Sequence, residues 1–374
     1  MSDNTLLQQE VFRRQLPPLL KMNDGRNCTA ALWRERRTEI LDILQKNIYG
    51  YTPKAPENVI GEIIEQSSVR AFAGKVNQQK IYIRFDTPNG EFGFPFYLFL
   101  PRNIFKAPLF LLINFRPDIP DIYCPIEEIT DNGFALAIIY YKDVVNDNHH
   151  GDYSDGLGKI FIGNRKRRSD EWGQIGMWAY AASRVLDYLL TREEIDHRHI
   201  AVVGHSRLGK TALWCAAQDE RFFMGISNNS GIGGAAIAKH STGERVIDFI
   251  KAGSWDWFCE KFKEYSGYED VNMPYDQHFL LAAIAPRYIC VGSAELDSGA
   301  DPRSEFLSCV AASEVYRLLG YKGILTPDKY PEADTSLHEG EIGYHIRKGR
   351  HYFSRYDWNQ YMNFMRQKIE NENS

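Results

Sequence analysis

Long apolar runs are missing from this sequence. No segment approaches the ~20 consecutive apolar residues of a membrane-spanning helix, and the opening stretch MSDNTLLQQEVFRRQ has no apolar core of signal-peptide length. As the chain stands, this reads as a cytoplasmic protein with no membrane partner; removal of a leader would instead make it secreted or periplasmic. An excess of positive charge is missing too. The 44 Lys and Arg against 49 Asp and Glu leave a net charge of −5, which gives no basic footprint for nucleic acid. The one basic run, Arg165 to Arg168 (RKRR), sits among Gly163, Asn164, Ser169, Asp170 and Glu171 and reads as a solvated loop. Cysteine is sparse and scattered: Cys28, Cys124, Cys215, Cys259, Cys290 and Cys309 form no CxxC or Cys/His ligand spacing. They are expected as small core residues, with no metal and no cofactor. Internal repeats and low-complexity tracts are also absent, which excludes a solenoid. The sequence leaves the oligomeric state open.

What is present is material for a core. In 374 residues, 44% are apolar and 25% charged, which excludes disorder and fits one domain spanning 1–374. Residues 1–60 read as a helical extension. Residues 61–100 alternate as strands (KIYIRF, FPFYLFL) about a Pro88-Asn89-Gly90 turn. Short apolar runs then follow at 108–115, 134–141, 199–205, 223–230 and 287–294, separated by helix-like stretches. That is the pattern of buried parallel strands with crossover helices, an α/β sheet covered on both faces. Two polar, Gly-rich and aromatic stretches, 142–170 and 231–275, are expected as insertions over the strand ends, where such sheets bind ligands.

The chemistry-bearing motif lies at HIAVVGHSRLGKTALW (199–214), where a strand runs straight into Ser206 and a helix starts at once. This is the context of a nucleophile elbow, and it predicts an α/β-hydrolase fold. Gly204 and Gly209 keep side chains out of the tight turn. Arg207 is placed to stabilise an oxyanion, by its backbone N–H and by its guanidinium. In this fold an acid and then a histidine follow the serine in chain order. His351, just past the run GYHIRKG (343–349), is the expected general base, ahead of His345 and His338. The acid belongs after RYICVGSA (287–294), where Asp297 is the first candidate, Glu295 close behind and Asp301 third.

The segment GHSRLGKTALWCAAQDERF (204–222) resembles carbohydrate esterase family 15, the glucuronoyl esterases. The resemblance continues through SNNSGIGGAA (227–236), HSTGE (240–244), DWFC (256–259), 276–306 and YHIRKGRHYFSRYDW (344–358). It implies a serine-type hydrolysis of esters of (4-O-methyl-)glucuronic acid, as in xylan–lignin linkages, without metal. It further implies that Ser206 is the nucleophile, Arg207 the oxyanion residue, His351 the base, and Lys210 and Glu244 contacts to sugar hydroxyls. Two departures stand out. Asn229 occupies the place before Ser-Gly-x-Gly-Gly where many members carry a catalytic Glu, which favours Asp297 as the acid. Gly299 stands where bacterial relatives carry a Trp, removing an aromatic platform that Trp255, Trp257 or Tyr153 would have to replace. Gly299 also keeps an acetyl-xylan or promiscuous carbohydrate esterase as the alternative. A peptidase and a non-catalytic carbohydrate-binding protein are further alternatives, the first without a peptide-binding motif and the second opposed by the intact set Ser206, Arg207, Asp297 and His351.

Overall fold

Apolar runs without polar alternation demand burial on both faces, and the chain buries them in one sheet. The computed structural model describes residues 5–67, 71–119, 121–267 and 272–372. Among these, ten strands form a single sheet: β1 (Val59–Ser67), β2 (Val76–Thr87), β3 (Gly90–Pro101), β4 (Ala107–Asn114), β5 (Ala135–Tyr140), β6 (Ile195–His205), β7 (Met224–Asn228), β8 (Tyr288–Ala294), β9 (Thr335–Leu337) and β10 (Ile342–Arg347). The order across the sheet is β1-β2-β3-β5-β4-β6-β7-β8-β10-β9. The six strands from β5 to β10 run parallel, and antiparallel strands close both ends. The short β9 gave no signal of its own in the sequence.

Ten α-helices among the described residues accompany the sheet: α1 (Leu6–Arg13), α2 (Trp33–Leu44), α3 (Ile126–Asp131), α4 (Gly156–Phe161), α5 (Gln174–Leu189), α6 (Arg207–Gln218), α7 (Val246–Lys251), α8 (Gln277–Ala282), α9 (Pro302–Leu318) and α10 (Arg355–Glu372). Successive side chains of a strand point to opposite faces, so the core has two layers. Leu109, Leu111, Val202 and Val291 join one layer with Leu186 of α5, Leu213 of α6 and Phe306 of α9. Phe110, Leu112, Val203 and Ile226 join the other with Ile129 of α3 and Trp358 and Tyr361 of α10. The fold is that of the α/β-hydrolases. All six cysteines are buried and free, as small core residues should be, and no described helix is long and apolar enough to cross a membrane.

The N-terminal residues hold α6 from behind. Tyr49 stacks on Trp214 at 4.3 Å, and Arg37 donates to the carbonyls of Ala217 and Ala283, each at 2.7 Å. The stretches 142–170 and 231–275 lie against each other: His150 N–H donates to Gly253 O (3.0 Å), Gly151 N–H to Asp256 (3.1 Å), and Trp257 Nε1 to Asp147 (2.7 Å). The basic run departs from a simple solvated loop. Arg167 is buried, paired with Glu260 at 3.1 Å and placed over the rings of Tyr153 and Trp255, because its flat guanidinium can pack where an ammonium would stay hydrated.

Below the strand ends, one turn is held by buried charge. Glu305 of α9 accepts the N–H groups of Ser230 (2.8 Å) and Gly231 (3.0 Å) and the Ser293 hydroxyl (2.6 Å). Lys210 of α6 donates to the carbonyls of Ser230 (2.5 Å) and Ile232 (2.7 Å). One side chain takes the amides of the turn and the other its carbonyls. Burial pushes Glu305 up to about 7, against those hydrogen bonds, and pushes Lys210 down to about 8.

Two outcomes follow. A Cβ at Gly204 would lie 2.1 Å from Leu208 O, in the backbone of the first turn of α6. Gly204→Ala should therefore cost about 1–3 kcal/mol of stability, read as a lowered urea midpoint. The raised Glu305 carboxyl favours the folded state at low pH and withdraws that stability as pH rises from about 4.5 to 7. Burial also lowers His205 and His278 to about 4 and His338 to about 3, which tilts the same window the other way. The comparison must therefore be with Glu305→Gln. Relative to that variant the protein should lose on the order of 1–3 kcal/mol between about pH 5 and pH 7.5; a pH-independent difference in urea midpoints would count against it.

Candidate active site

The elbow is built from strain and proximity. β6 ends at His205 and α6 begins at Arg207, leaving Ser206 alone at the corner with φ 55° and ψ −128°. A non-glycine residue held there stores roughly 1–3 kcal/mol, and the surroundings hold it: Ser206 N–H donates to Asn228 O at 2.8 Å, and Ser206 O accepts from Gly209 (2.9 Å) and Lys210 (3.1 Å). Ser206 is half-buried, and among the described residues no hydrogen bond involves its hydroxyl. The amides that open α6 have no carbonyl one turn back to bond.

Of the three candidate acids, the structure brings one to the histidine. His351 Nδ1 lies 2.6 Å from Asp297 Oδ2. Asp297 follows β8 and is buried, and it also accepts from Asn229 Nδ2 (2.8 Å) and Ala300 N–H (3.3 Å). Burial pushes this carboxyl up, but the bonds from His351 and Asn229 outweigh that and hold it below the ordinary aspartate value. Glu295 is exposed; its backbone N–H bonds Arg347 O, and its carboxylate has no partner among the described residues. Asp301 caps α9, accepting from Ser304, Ser241 and Thr242. Neither reaches His351. His345 is buried in β10 and tied to Asp357 at 2.9 Å, and His338 is packed against Phe364.

His351 itself stands at the surface, 45% exposed, with its ring 4.5 Å from that of His205. His205 donates from Nδ1 to Asn228 Oδ1 at 2.7 Å, and burial together with His351 lowers it to about 4. It therefore stays neutral and adds no charge beside Ser206. With Nδ1 donating to Asp297, the other ring nitrogen of His351, Nε2, is the one left to accept a proton.

Arg207 is a partly buried cation with a partner of its own. It pairs with buried Asp147 and lies 4.2 Å over Trp257 and 5.5 Å over Phe115. Asp147 thus takes up part of its charge, and Trp257 and Tyr141 also bond that carboxylate. Arg207 Nε is buried without a partner among the described residues. Lys210 is buried and engaged with the 230–232 turn rather than standing open over the elbow. Glu244 is exposed on the adjoining loop, with its N–H on Gly299 O at 3.0 Å. A Cβ on Gly231 would lie 3.7 Å from both Lys210 Nζ and Glu244 Oε2, so the two side chains flank one backbone position. At Gly299 an added Cβ would meet only Asp297 Oδ1 (3.8 Å) and Glu244 Cγ (3.9 Å), which leaves open space beside the acid.

Several members of this site were not legible in the sequence. Asp147, Glu305 and the donor role of Asn229 carry no local motif, since each works through a residue far along the chain. Nor did spacing reveal Cys290, His338 and His345, whose ligand atoms lie within 4.8 Å of one another under α10. This group has three ligands at most. Lys368 adjoins it, donating to His338 O at 2.7 Å.

Comparison with known proteins gives a consistent picture. A family model described as "Glucuronyl esterase, fungi" matches residues 121–320. The chain is 32% identical to carbohydrate esterase MZ0003 of an unknown prokaryotic organism, over 96% of this chain and 90% of that protein. It is 27% identical to a 4-O-methyl-glucuronoyl methylesterase of Schizophyllum commune, over 82% and 74%. Among solved structures, a glucuronoyl esterase from Solibacter usitatus superposes with a TM-score of 0.85 at 33% identity, covering 94% of this chain and 97% of that one. A strained serine at a strand-to-helix corner, a histidine on a buried aspartate and these matches lead to one assignment: the chain belongs to the glucuronoyl esterases, carbohydrate esterase family 15.

Proposed function

We propose that this protein hydrolyses esters of glucuronic acid or its 4-O-methyl form, such as those joining xylan to lignin alcohols, through an acyl-enzyme on Ser206. The observation that carries this is the His351–Asp297 pair standing beside the strained Ser206 corner, next to the Arg207, Lys210 and Glu244 cluster. His351 Nε2 takes the Ser206 proton as Oγ attacks the ester carbonyl carbon. The carbonyl oxygen becomes an oxyanion, met by Arg207 N–H and by the free edge of its guanidinium. Collapse of the tetrahedral intermediate breaks the bond to the alcohol, which leaves with the proton from His351. Water then gives a proton to His351, attacks the acyl group and releases the uronic acid, and Ser206 recovers its proton. Asp297 holds the tautomer and stabilises the imidazolium. The Ser206–His351 hydrogen bond closes with substrate, as such bonds often do.

Glu244, exposed beside Gly231, and the free edge of Arg207 offer polar groups for a sugar ring, while Trp257 and Tyr153 are buried and Trp257 has Arg207 over its face. The open space at Gly299 favours a second reading, a broader carbohydrate esterase that accepts acetyl esters. Rates on benzyl glucuronate and p-nitrophenyl acetate, measured side by side, separate the two. A preference for acetate that depends on Ser206 would leave the mechanism and overturn the substrate.

Ser206→Ala should abolish turnover of both esters. Asp297→Asn should lower kcat by about three to four orders of magnitude, while Glu295→Gln leaves it unchanged; the reverse ranking would move the acid to Glu295. Gly299→Trp should raise kcat/KM several-fold for benzyl glucuronate and leave p-nitrophenyl acetate unaffected, since a ring fits the free space and can cover the sugar. Equal effects on both esters would remove Gly299 from the substrate site.

A further inference from the structure

The loop that carries His351 connects β10 to α10 over residues 348–354, without a described helix or strand of its own. Its peptide groups need partners all the same. One buried side chain supplies three of them. Arg347, 6% exposed, donates from Nη1 to Lys348 O (3.0 Å) and from Nη2 to Arg350 O (3.2 Å) and Tyr352 O. The last two carbonyls belong to the residues immediately before and after His351. Arg347 Nε is held in turn by Asp357 Oδ2 at 2.9 Å. That carboxylate, fully buried at the start of α10, also accepts from Ser354 N–H (2.8 Å), Ser354 Oγ (2.7 Å) and His345 Nε2 (2.9 Å).

We propose that the Arg347–Asp357 pair is a positioning device for the general base, fixing the backbone on both sides of His351 so that its imidazole meets Asp297 and Ser206 together. The inference rests on reading His351 as the base. A guanidinium suits this work because it presents five donors in a rigid plane. Its fork spans the carbonyls of three residues in one turn of chain, and the carboxylate behind it removes the cost of an unpaired buried charge. Gly349 completes the wrap: its φ is +99°, and a Cβ there would approach Arg347 Nη1 to 3.3 Å. Lysine at 347 keeps the charge and the pairing with Asp357 but offers a single point, which cannot hold carbonyls before and after His351 at once.

The test compares Arg347→Lys with Arg287→Lys. Arg287 uses the same chemistry elsewhere, donating to Ala216 O (2.7 Å), Asp219 O (3.1 Å) and Phe222 O (2.9 Å). For each variant kcat and KM on the better ester, the rate of fluorophosphonate labelling of Ser206 and the thermal midpoint are measured, well below that midpoint. Arg347→Lys should lose about ten- to hundred-fold in kcat, as sub-ångström misplacement does, with KM within about two-fold and labelling slowed in parallel. Arg287→Lys should lose stability without that kcat loss. Should Arg347→Lys not fold, Ser354→Ala removes the two bonds of its hydroxyl with Asp357, to Oδ2 (2.7 Å) and from the Asp357 N–H (3.3 Å), and should give the same kcat-selective loss at smaller amplitude. Full kcat in folded Arg347→Lys, or equal losses in both arginine variants, overturns the inference. His351→Ala is run alongside: retained turnover there would remove the base assignment itself, whereas an inactive His351→Ala with an unaffected Arg347→Lys would remove the positioning role alone.

Discussion

A carboxylate taken out of water must be met by donors, and Asp297 is where that requirement organises the site. Its three donors come from His351 past β10, Asn229 past β7 and Ala300 in its own loop past β8. They converge only because the parallel register aligns the strand ends, with Asn228 beside Gly292 and Ala294 beside Arg347. A one-residue slip would turn every side chain of a strand to the other face. It would send Val203 or Ile226 out of one core layer and leave Asp297 buried without its partners. The same packing that stabilises the sheet therefore enforces the geometry of the His351–Asp297 pair.

This constraint also accounts for the departure at residue 229. A glutamate there would place a second carboxylate against Asp297, and two such groups in contact cannot both stay ionised. Asparagine presents the opposite polarity: its amide donates to Asp297 and reinforces the ionised form. Charge is balanced elsewhere in the same manner. Arg207 is matched by Asp147 and the 230–232 turn by Glu305 and Lys210 together, so the cleft floor carries few uncompensated charges apart from those that the reaction creates.

How much of this was legible in the sequence follows from how local each signal is. The run HIAVVGHSRLGK declared a strand, a corner and a helix in twelve residues, and the run GYHIRKG with His351 just past it was similarly compact. Asp297 could be placed to within a turn, but not separated from Glu295, because both follow the same strand and only the direction of the side chain distinguishes them. Nothing local told Asp147 from any other polar residue of its insertion, since its partners Arg207 and Trp257 lie 60 and 110 residues away. Arg167 misled for the same reason: within RKRR it looks solvated, and its burial depends on Glu260, Tyr153 and Trp255. Lys210 was legible as a residue near the nucleophile, but its engagement with the turn after β7 depends on a crossover that no spacing reveals.

The segments that carry the chemistry are irregular, and their peptide groups find partners in buried charged side chains where a helix or strand would have used backbone. Such groups are costly to desolvate, so a loop held this way tolerates few arrangements. Glu305 and Lys210 grip one turn by its amides and carbonyls, and Arg347 with Asp357 grips another from beneath. The groups proposed to meet a sugar are placed differently: Glu244 lies in the stretch 231–275 and Gly299 in the loop past β8, joined by the bond from Glu244 N–H to Gly299 O. Under that proposal substrate preference changes through Glu244 and Gly299, neither of which makes a side-chain hydrogen bond to the supports below among the described residues. On the roles proposed above, changes to Arg347 and Asp357 act on the position of His351, and so on the rate of the chemical step rather than on which ester is bound.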